Sequence, residues 1–116
     1  MNIKKFDVVL TDFSGGVGEE QIGIRPAIVF QNDIGNLCSP LTIVIPLSSK
    51  NKNRKQPTHT LIRRSKDTGL VQDSMALGEQ IKAISKQRII KKIGTIVNER
   101  ERNEIRRACL ANFGEM

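Results

Sequence analysis

A chain of 116 residues with 38% hydrophobic and 27% charged side chains is long enough for one domain with a real core and too apolar for wholesale disorder. Four Phe and no Trp or Tyr argue against a nucleic-acid binder that stacks bases on a row of exposed rings. The net charge of +7 is unevenly spread: residues 1–46 are net acidic, and residues 47–66 hold seven Lys or Arg and no acid. Residues 67–81 hold three acids and no base. Blocked positive charge favours a polyanion or an acidic protein partner over an evenly solvated surface.

Cys38 and Cys109 have neither metal-ligand spacing nor a disulfide framework and read as two reduced thiols. No secretory signal pattern and no apolar run of membrane-spanning length is present, so a cytoplasmic protein is expected.

In chain order, the β-branched run Phe6 to Phe13 predicts a strand, bounded by Ser14-Gly15-Gly16. Ser14 to Ile24 is a glycine-bearing loop whose spacing fits neither phosphate-binding fingerprint. Pro26 to Gln31 predicts a second strand buried on both faces. Asn32 to Leu41 reads as a loop. Thr42 to Leu47 predicts a third strand, with Pro46 at a strand end, a bulge or an edge. A basic loop, Ser48 to Pro57, precedes a fourth strand over Thr58 to Arg64, and Lys66 to Gln72 turns around Gly69.

Ser74 to Ile84 predicts a strand bent at Gly78. Ser85 is placed as the N-cap of a short helix, Lys86 to Ile93, stopped by Gly94. Thr95 to Val97 completes the strands. Asn98 with Glu101 opens a terminal helix to about Asn112, burying Ile105, Ala108, Cys109 and Phe113, with Gly114 as its end. The sum is an α+β fold that is mainly β: a small, strongly bent antiparallel barrel with helices packed outside it.

Three places invite chemistry. Pro26 pushes Arg25 into extended backbone at the junction of loop and strand, where a planar, permanently charged fork suits a phosphate. The same position also fits a surface arginine paired with Glu19 or Glu20. Ser48-Ser49-Lys50 ends the third strand with two hydroxyls and an ammonium, able to position a phosphate or ribose, and is equally ordinary loop composition. Asp73-Ser74 and Glu79-Gln80 sit at the two ends of the bent strand and could line a cleft that reads single-stranded RNA through acceptors. His59, the only histidine, lacks the second histidine of an acid–base pair and reads as a strand residue. No cluster has ligand spacing, so no metal is expected.

The motif Glu20-Gln21-x-Gly23-x-Arg25-Pro26-Ala27-Ile28-Val29 is followed by Gln31-Asn32-Asp33, Ser39-Pro40 and Pro46-Leu47-Ser48-Ser49-Lys50. Pro57-Thr58-His59, Gly69-Leu70, Asp73-Ser74, Glu79-Gln80-Ile81-x-x-Ile84 and Lys86-x-Arg88 come next. In this order they resemble the MazF/PemK (Kid) toxins of toxin–antitoxin modules, over roughly residues 6–97.

The resemblance implies a homodimeric, SH3-like barrel that cuts single-stranded mRNA at a short sequence without a metal or cofactor. In such enzymes the ribose 2′-hydroxyl attacks its own phosphodiester, leaving a 2′,3′-cyclic phosphate and a 5′-hydroxyl. The family's catalytic arginine corresponds to Arg25. Its catalytic threonine corresponds to Ser48, which keeps the hydroxyl and loses the methyl that restricts χ1, so Ser49 is a candidate to share the task. Glu20, Gln21, Ser49, Lys50 and Gln80 are the candidates for substrate contact, Glu20 also for proton transfer. A cognate antitoxin with a disordered acidic tail is the implied protein partner. Alternatives are a gyrase-binding toxin of the CcdB type, whose terminal Trp-Gly-Ile is absent here, a catalytically silent RNA-binding barrel, and a scaffold that serves only as an antitoxin partner.

Overall fold

The computed structural model describes residues 2–50 and 56–115; most of the basic loop, residues 51–55, lies outside them. Seven strands form one antiparallel sheet: β1 (Asp7–Asp12), β2 (Ile24–Val29), β3 (Leu41–Ser48), β4 (His59–Ile62), β5 (Ser74–Leu77), β6 (Lys82–Ser85) and β7 (Ile89–Thr95). Their order is β4-β5-β3-β2-β1-β7, with β6 added to β3. Among the described residues the α-helices are α1 (Asp33–Cys38) and α2 (Glu99–Leu110). The expected class, a bent, mainly antiparallel β structure with a terminal helix, is what the chain forms, although the strand path does not close on itself among the described residues.

Alternation along the central strands loads both faces of the sheet. Val8, Ile28, Ile45 and Leu47 enter one core cluster with Ile62, Ala76, Ile96 and the α2 residues Ile105 and Cys109. Val9, Ala27, Val29 and Val44 enter a second with Phe13, Ile84 and Ile89. Burial in the first cluster pushes the Cys109 thiol up to about 11.

β3 is where the sheet bends. Its first half pairs with β6, from Leu41↔Ser85 to Val44↔Lys82, and its last two residues pair with β5, Leu47↔Ala76 and Ser48↔Met75. Between those registers the partner chain makes a 3-10 turn, Gly78–Gln80. Pro46, which offers no N–H, falls opposite that break while pairing with Ala27 on its other side. The strand expected to bend at Gly78 is thus two strands separated by a turn.

Three expectations are corrected. Residues 32–41 are not all loop: Asn32 accepts from the Gly35 N–H at 2.9 Å and caps α1. Six residues with a central glycine carry too little periodicity to announce a helix. Residues 86–93 are not a helix. Ser85 does accept from the Gln87 N–H, but only the 3-10 turn Lys86–Arg88 follows before β7 begins. The last strand accordingly runs over Ile89–Thr95, not Thr95 to Val97. Two register shifts against β1 cause the misreading, because Val9↔Lys92 passes to Val8↔Gly94 and Leu10↔Lys91 passes to Thr11↔Ile89. Each leaves one isoleucine, Ile93 or Ile90, outside the ladder and replaces period two with a helix-like spacing.

The terminal helix forms as expected. Asn98 accepts from the Glu101 N–H at 3.0 Å, and Gly114 ends the segment at φ 71°. Phe113 is the exception on its expected buried face, being 70% exposed.

Candidate active site

Arg25 is the second residue of β2, and its neighbour across the ladder on β1 is Thr11. The last β2–β3 pair is Ala27↔Pro46. Continuing that register by two residues on each strand arrives at Arg25 and Ser48, which period-two alternation puts on one face. There β3 leaves β2 for β5, so the arginine stands where the sheet opens. The Arg25 Nε donates to the Ile22 carbonyl at 3.1 Å, which fixes one edge of the guanidinium and leaves its outer fork for a ligand.

A cleft of about 190 Å³ takes Arg25 and Pro26 on one side, Leu47 and Ser49 on a second, and Leu70, Gln72 and Ser74 on a third. Arg25 and Ser49 therefore share a cleft, with the Ser74 of the Asp73-Ser74 pair nearby. Ser48 is 4% exposed, pairs with Met75 and is not among that cleft's walls. Lys50 is exposed at the end of the described segment. Asp73 faces elsewhere, accepting from the Arg64 N–H at 2.8 Å.

The loop before β2 forms a second hollow, of about 210 Å³, walled by Phe13, Pro46 and Ile81 and edged by Glu20, Gln21, Glu79 and Gln80. Glu20 is exposed, and its carboxylate accepts from the Val17 N–H at 2.9 Å. The Gln80 amide is engaged at both ends, accepting from the Gln21 N–H at 2.8 Å and donating to the Glu19 carbonyl at 3.0 Å. The structure thus brings Glu20, Gln21 and Gln80 together around one hollow and Arg25 with Ser49 around another.

His59 is buried on β4 and lies 2.8 Å from Glu79 Oε2. The same carboxylate accepts from Gln56 Nε2 at 3.0 Å and Thr58 Oγ1 at 3.1 Å. The histidine is a strand residue with a satisfied ring. At the loop's other base, Asp12 is held below the ordinary carboxylate range by the Ser14 hydroxyl and N–H, with a smaller contribution from the Arg88 charge. Among the described residues, no three His, Cys, Asp or Glu side chains gather as metal ligands would. A larger groove of about 740 Å³, between β4 and the start of α2, is lined by none of the predicted site residues.

Two features of the site escape the sequence. Across the ladder from Arg25, Thr11 is fully buried, and its Oγ1 has no hydrogen-bond partner among the described residues. Alternation marks Thr11 as facing the same side as Val9, but nothing in the sequence pairs it with Arg25. The grip of Gln80 on the loop is the other, since the partners are 59 and 61 residues away.

The fold is that of known toxin structures. MazF from Deinococcus radiodurans superposes with a TM-score of 0.82 over 98% of both chains at 18% identity. An endoribonuclease in complex with its cognate antitoxin, from a Mycobacterial species, superposes with a TM-score of 0.77 over 97% of this chain and 95% of that one at 17% identity. In sequence, residues 4–113 match the family described as PemK-like, MazF-like toxin of type II toxin–antitoxin system. Endoribonuclease EndoA of Bacillus subtilis is 44% identical over 85% of this chain and 84% of its own length. Endoribonuclease MazF of Staphylococcus saprophyticus is 38% identical over 97% of this chain and 92% of its own. The chain belongs to the PemK-like, MazF-like toxins.

Proposed function

We propose that the protein is a sequence-specific endoribonuclease toxin that cleaves single-stranded mRNA without a metal and is neutralised by a cognate antitoxin. The observation that carries this reading is the position of Arg25 at the parting of β2 and β3, beside a serine hydroxyl in a cleft open to solvent. The 38–44% identity to two endoribonucleases over most of the chain supports the same conclusion.

The chemistry needs an in-line attack of the ribose 2′-hydroxyl oxygen on the adjacent phosphorus. The 2′-hydroxyl gives up its proton, the P–O5′ bond breaks, and the 5′-oxygen takes up a proton to leave as a hydroxyl, with the 2′,3′-cyclic phosphate remaining. Negative charge accumulates on the non-bridging oxygens, and the outer fork of Arg25 is the stabiliser for it. One hydroxyl of the proposed pair, Ser48 and Ser49, donates to that phosphate and keeps the 2′-oxygen in line. Ser49 is the one of the two that opens into the Arg25 cleft. Arg25 stays protonated throughout and is not the base. Glu20, Gln21, Lys50 and Gln80 form the surrounding surface. We further propose that one toxin domain, 1–116, acts in the cytoplasm as a homodimer, and that an acidic antitoxin segment competes with RNA for the basic side of the molecule.

The test is incubation of the purified protein with long RNA in EDTA, followed by mapping of the cut ends. Discrete sites bearing 5′-hydroxyl ends are expected. Intact RNA together with arrested supercoiling would move the protein to the gyrase-binding class.

A further inference from the structure

In the loop that delivers Arg25, the Glu19–Gln21 segment is held from across the molecule by the Gln80 side chain. Gln80 ends the 3-10 turn between β5 and β6, and its amide takes the Gln21 N–H at 2.8 Å and the Glu19 carbonyl at 3.0 Å. One primary amide thereby does for this segment what a neighbouring strand does for a β-edge, exchanging a donor and an acceptor with alternate backbone groups. The segment is already folded on itself, because Glu20 donates its N–H to the Val17 carbonyl and accepts the Val17 N–H on its carboxylate. The next residue, Ile22, supplies the carbonyl that receives the Arg25 Nε. The Gln80 amide is thus connected to the guanidinium through the backbone of two consecutive residues, Gln21 and Ile22.

The clamp itself cannot drift. Gly78 donates its N–H to the Thr58 carbonyl at 2.8 Å, and its own carbonyl accepts from Asn112 Nδ2 at 2.6 Å. A Cβ at residue 78 would lie 2.5 Å from the Thr58 carbonyl oxygen, so only glycine fits there. The turn is tied to β4 on one side and to the end of the terminal helix on the other.

We infer that Gln80 is a positioning residue for Arg25: it holds the Glu19–Gln21 backbone, and through the Ile22 carbonyl it aims the guanidinium, in place of contacting RNA. The catalytic half of this inference rests on the endoribonuclease reading; the structural half does not. Each end of the Gln80 amide makes one hydrogen bond to the loop, so the loop sets the orientation of the side chain.

Three measurements on the full chain test it. In Gln80→Ala, amide exchange of Gln21 followed by nitrogen-15 NMR should accelerate strongly while β1 and β7 amides keep their protection. Unchanged protection at Gln21 overturns the clamp, whether or not the protein cuts RNA. With a short RNA that the unaltered protein cleaves, kcat of Gln80→Ala should fall about tenfold to a hundredfold, the scale on which misplacement of a catalytic group is felt. KM and the affinity for the same RNA carrying a 2′-deoxy sugar at the cut should stay within about twofold, and the cut site should not move. A raised KM or an altered base preference with kcat retained assigns Gln80 to the RNA and overturns the inference. Gln80→Glu keeps length and the acceptor for the Gln21 N–H, but turns an anionic oxygen toward the Glu19 carbonyl; protonation restores the donor. Its rate relative to the unaltered protein should therefore rise as pH falls, and a pH-independent ratio overturns the inference. RNA left intact by the unaltered protein would overturn the endoribonuclease reading, and the exchange measurement would still decide the clamp.

Discussion

At the scale of single residues, Arg25 owes its placement to chemistry that is local in sequence. Pro26 fixes the backbone after it, and the Ile22 carbonyl, three residues back, takes its Nε. The side chain makes no ion pair among the described residues and is only half-buried. Replacing it should therefore cost little stability while removing a donor that acts on the charged transition state. Arg25→Ala is expected to raise the barrier to RNA cleavage by about 3 kcal/mol, as loss of one such donor does, with a melting curve close to that of the unaltered protein. Single-turnover cleavage and thermal melts of the same sample check both halves; robust cleavage by the folded variant would sink the assignment. Arg25 and the serine pair were legible as candidates because each sits at a loop–strand junction, and Glu20 because it belongs to the same ordered series of motifs. The Gln80 clamp and the buried Thr11 were not, since both depend on which distant strands lie side by side. His59 was legible as a strand residue, but nothing in the sequence sets Glu79, 20 residues away, beside its ring.

Among elements, β1 to β4 were readable to within a few residues, and β5 with β6 only as a single bent strand. Failures came where the period breaks. β7 carries two bulges against β1, and Gly94, read as a helix stop, is instead a point of close backbone approach. A Cβ there would lie 2.3 Å from the Asp67 carbonyl oxygen and 2.3 Å from the Thr68 carbonyl carbon, and neither backbone atom can rotate aside. The turn responsible is itself tightly held, with Thr95 donating its N–H to the Asp67 carbonyl at 2.7 Å and Gly69 at φ +70° against the Ile93 carbonyl. Gly94→Ala should therefore destabilise by about 3 kcal/mol, the upper part of the range for overpacking a well-filled site. Urea unfolding checks it: a midpoint unchanged from that of the unaltered protein would mean that the 65–69 turn yields where the packing says it cannot. The Gln31-Asn32-Asp33 motif also acquires a structural account at this scale. Asn32 caps α1, and Asp33 accepts from the Lys5 N–H at 2.7 Å, which holds its carboxyl below the ordinary range. Gln31 meets Asn36, whose amide oxygen also accepts from Thr42. These polar residues close the connection from β2 to β3, and through it the register that sets Arg25 against the serine pair.

For the molecule as a whole, the uneven charge seen in the sequence becomes a statement about where RNA and antitoxin compete. The acid-free block 47–66 begins at the end of β3, beside the cleft that Arg25 and Ser49 share, and runs on into β4. An RNA strand whose phosphate sits at Arg25 would thus continue past Lys50, which is exposed. Each phosphate neutralised there releases condensed counterions, so affinity for single-stranded RNA should fall linearly with salt on logarithmic axes, by a slope of about −0.7 for each contact. Binding of an RNA with a 2′-deoxy sugar at the cut, measured across a salt series, isolates this from chemistry. Lys50→Ala should weaken binding about equally for every RNA sequence and make the slope shallower by about 0.7. A Lys50 variant with an unaltered slope would mean that the strand leaves Arg25 in another direction. The larger groove between β4 and α2, lined by Arg63 and Arg100 along with Asp67, Glu101 and Glu104, would then be the next path to test. Its three carboxylates make it a poor track for a polyanion, which is why the salt slope is expected to follow Lys50.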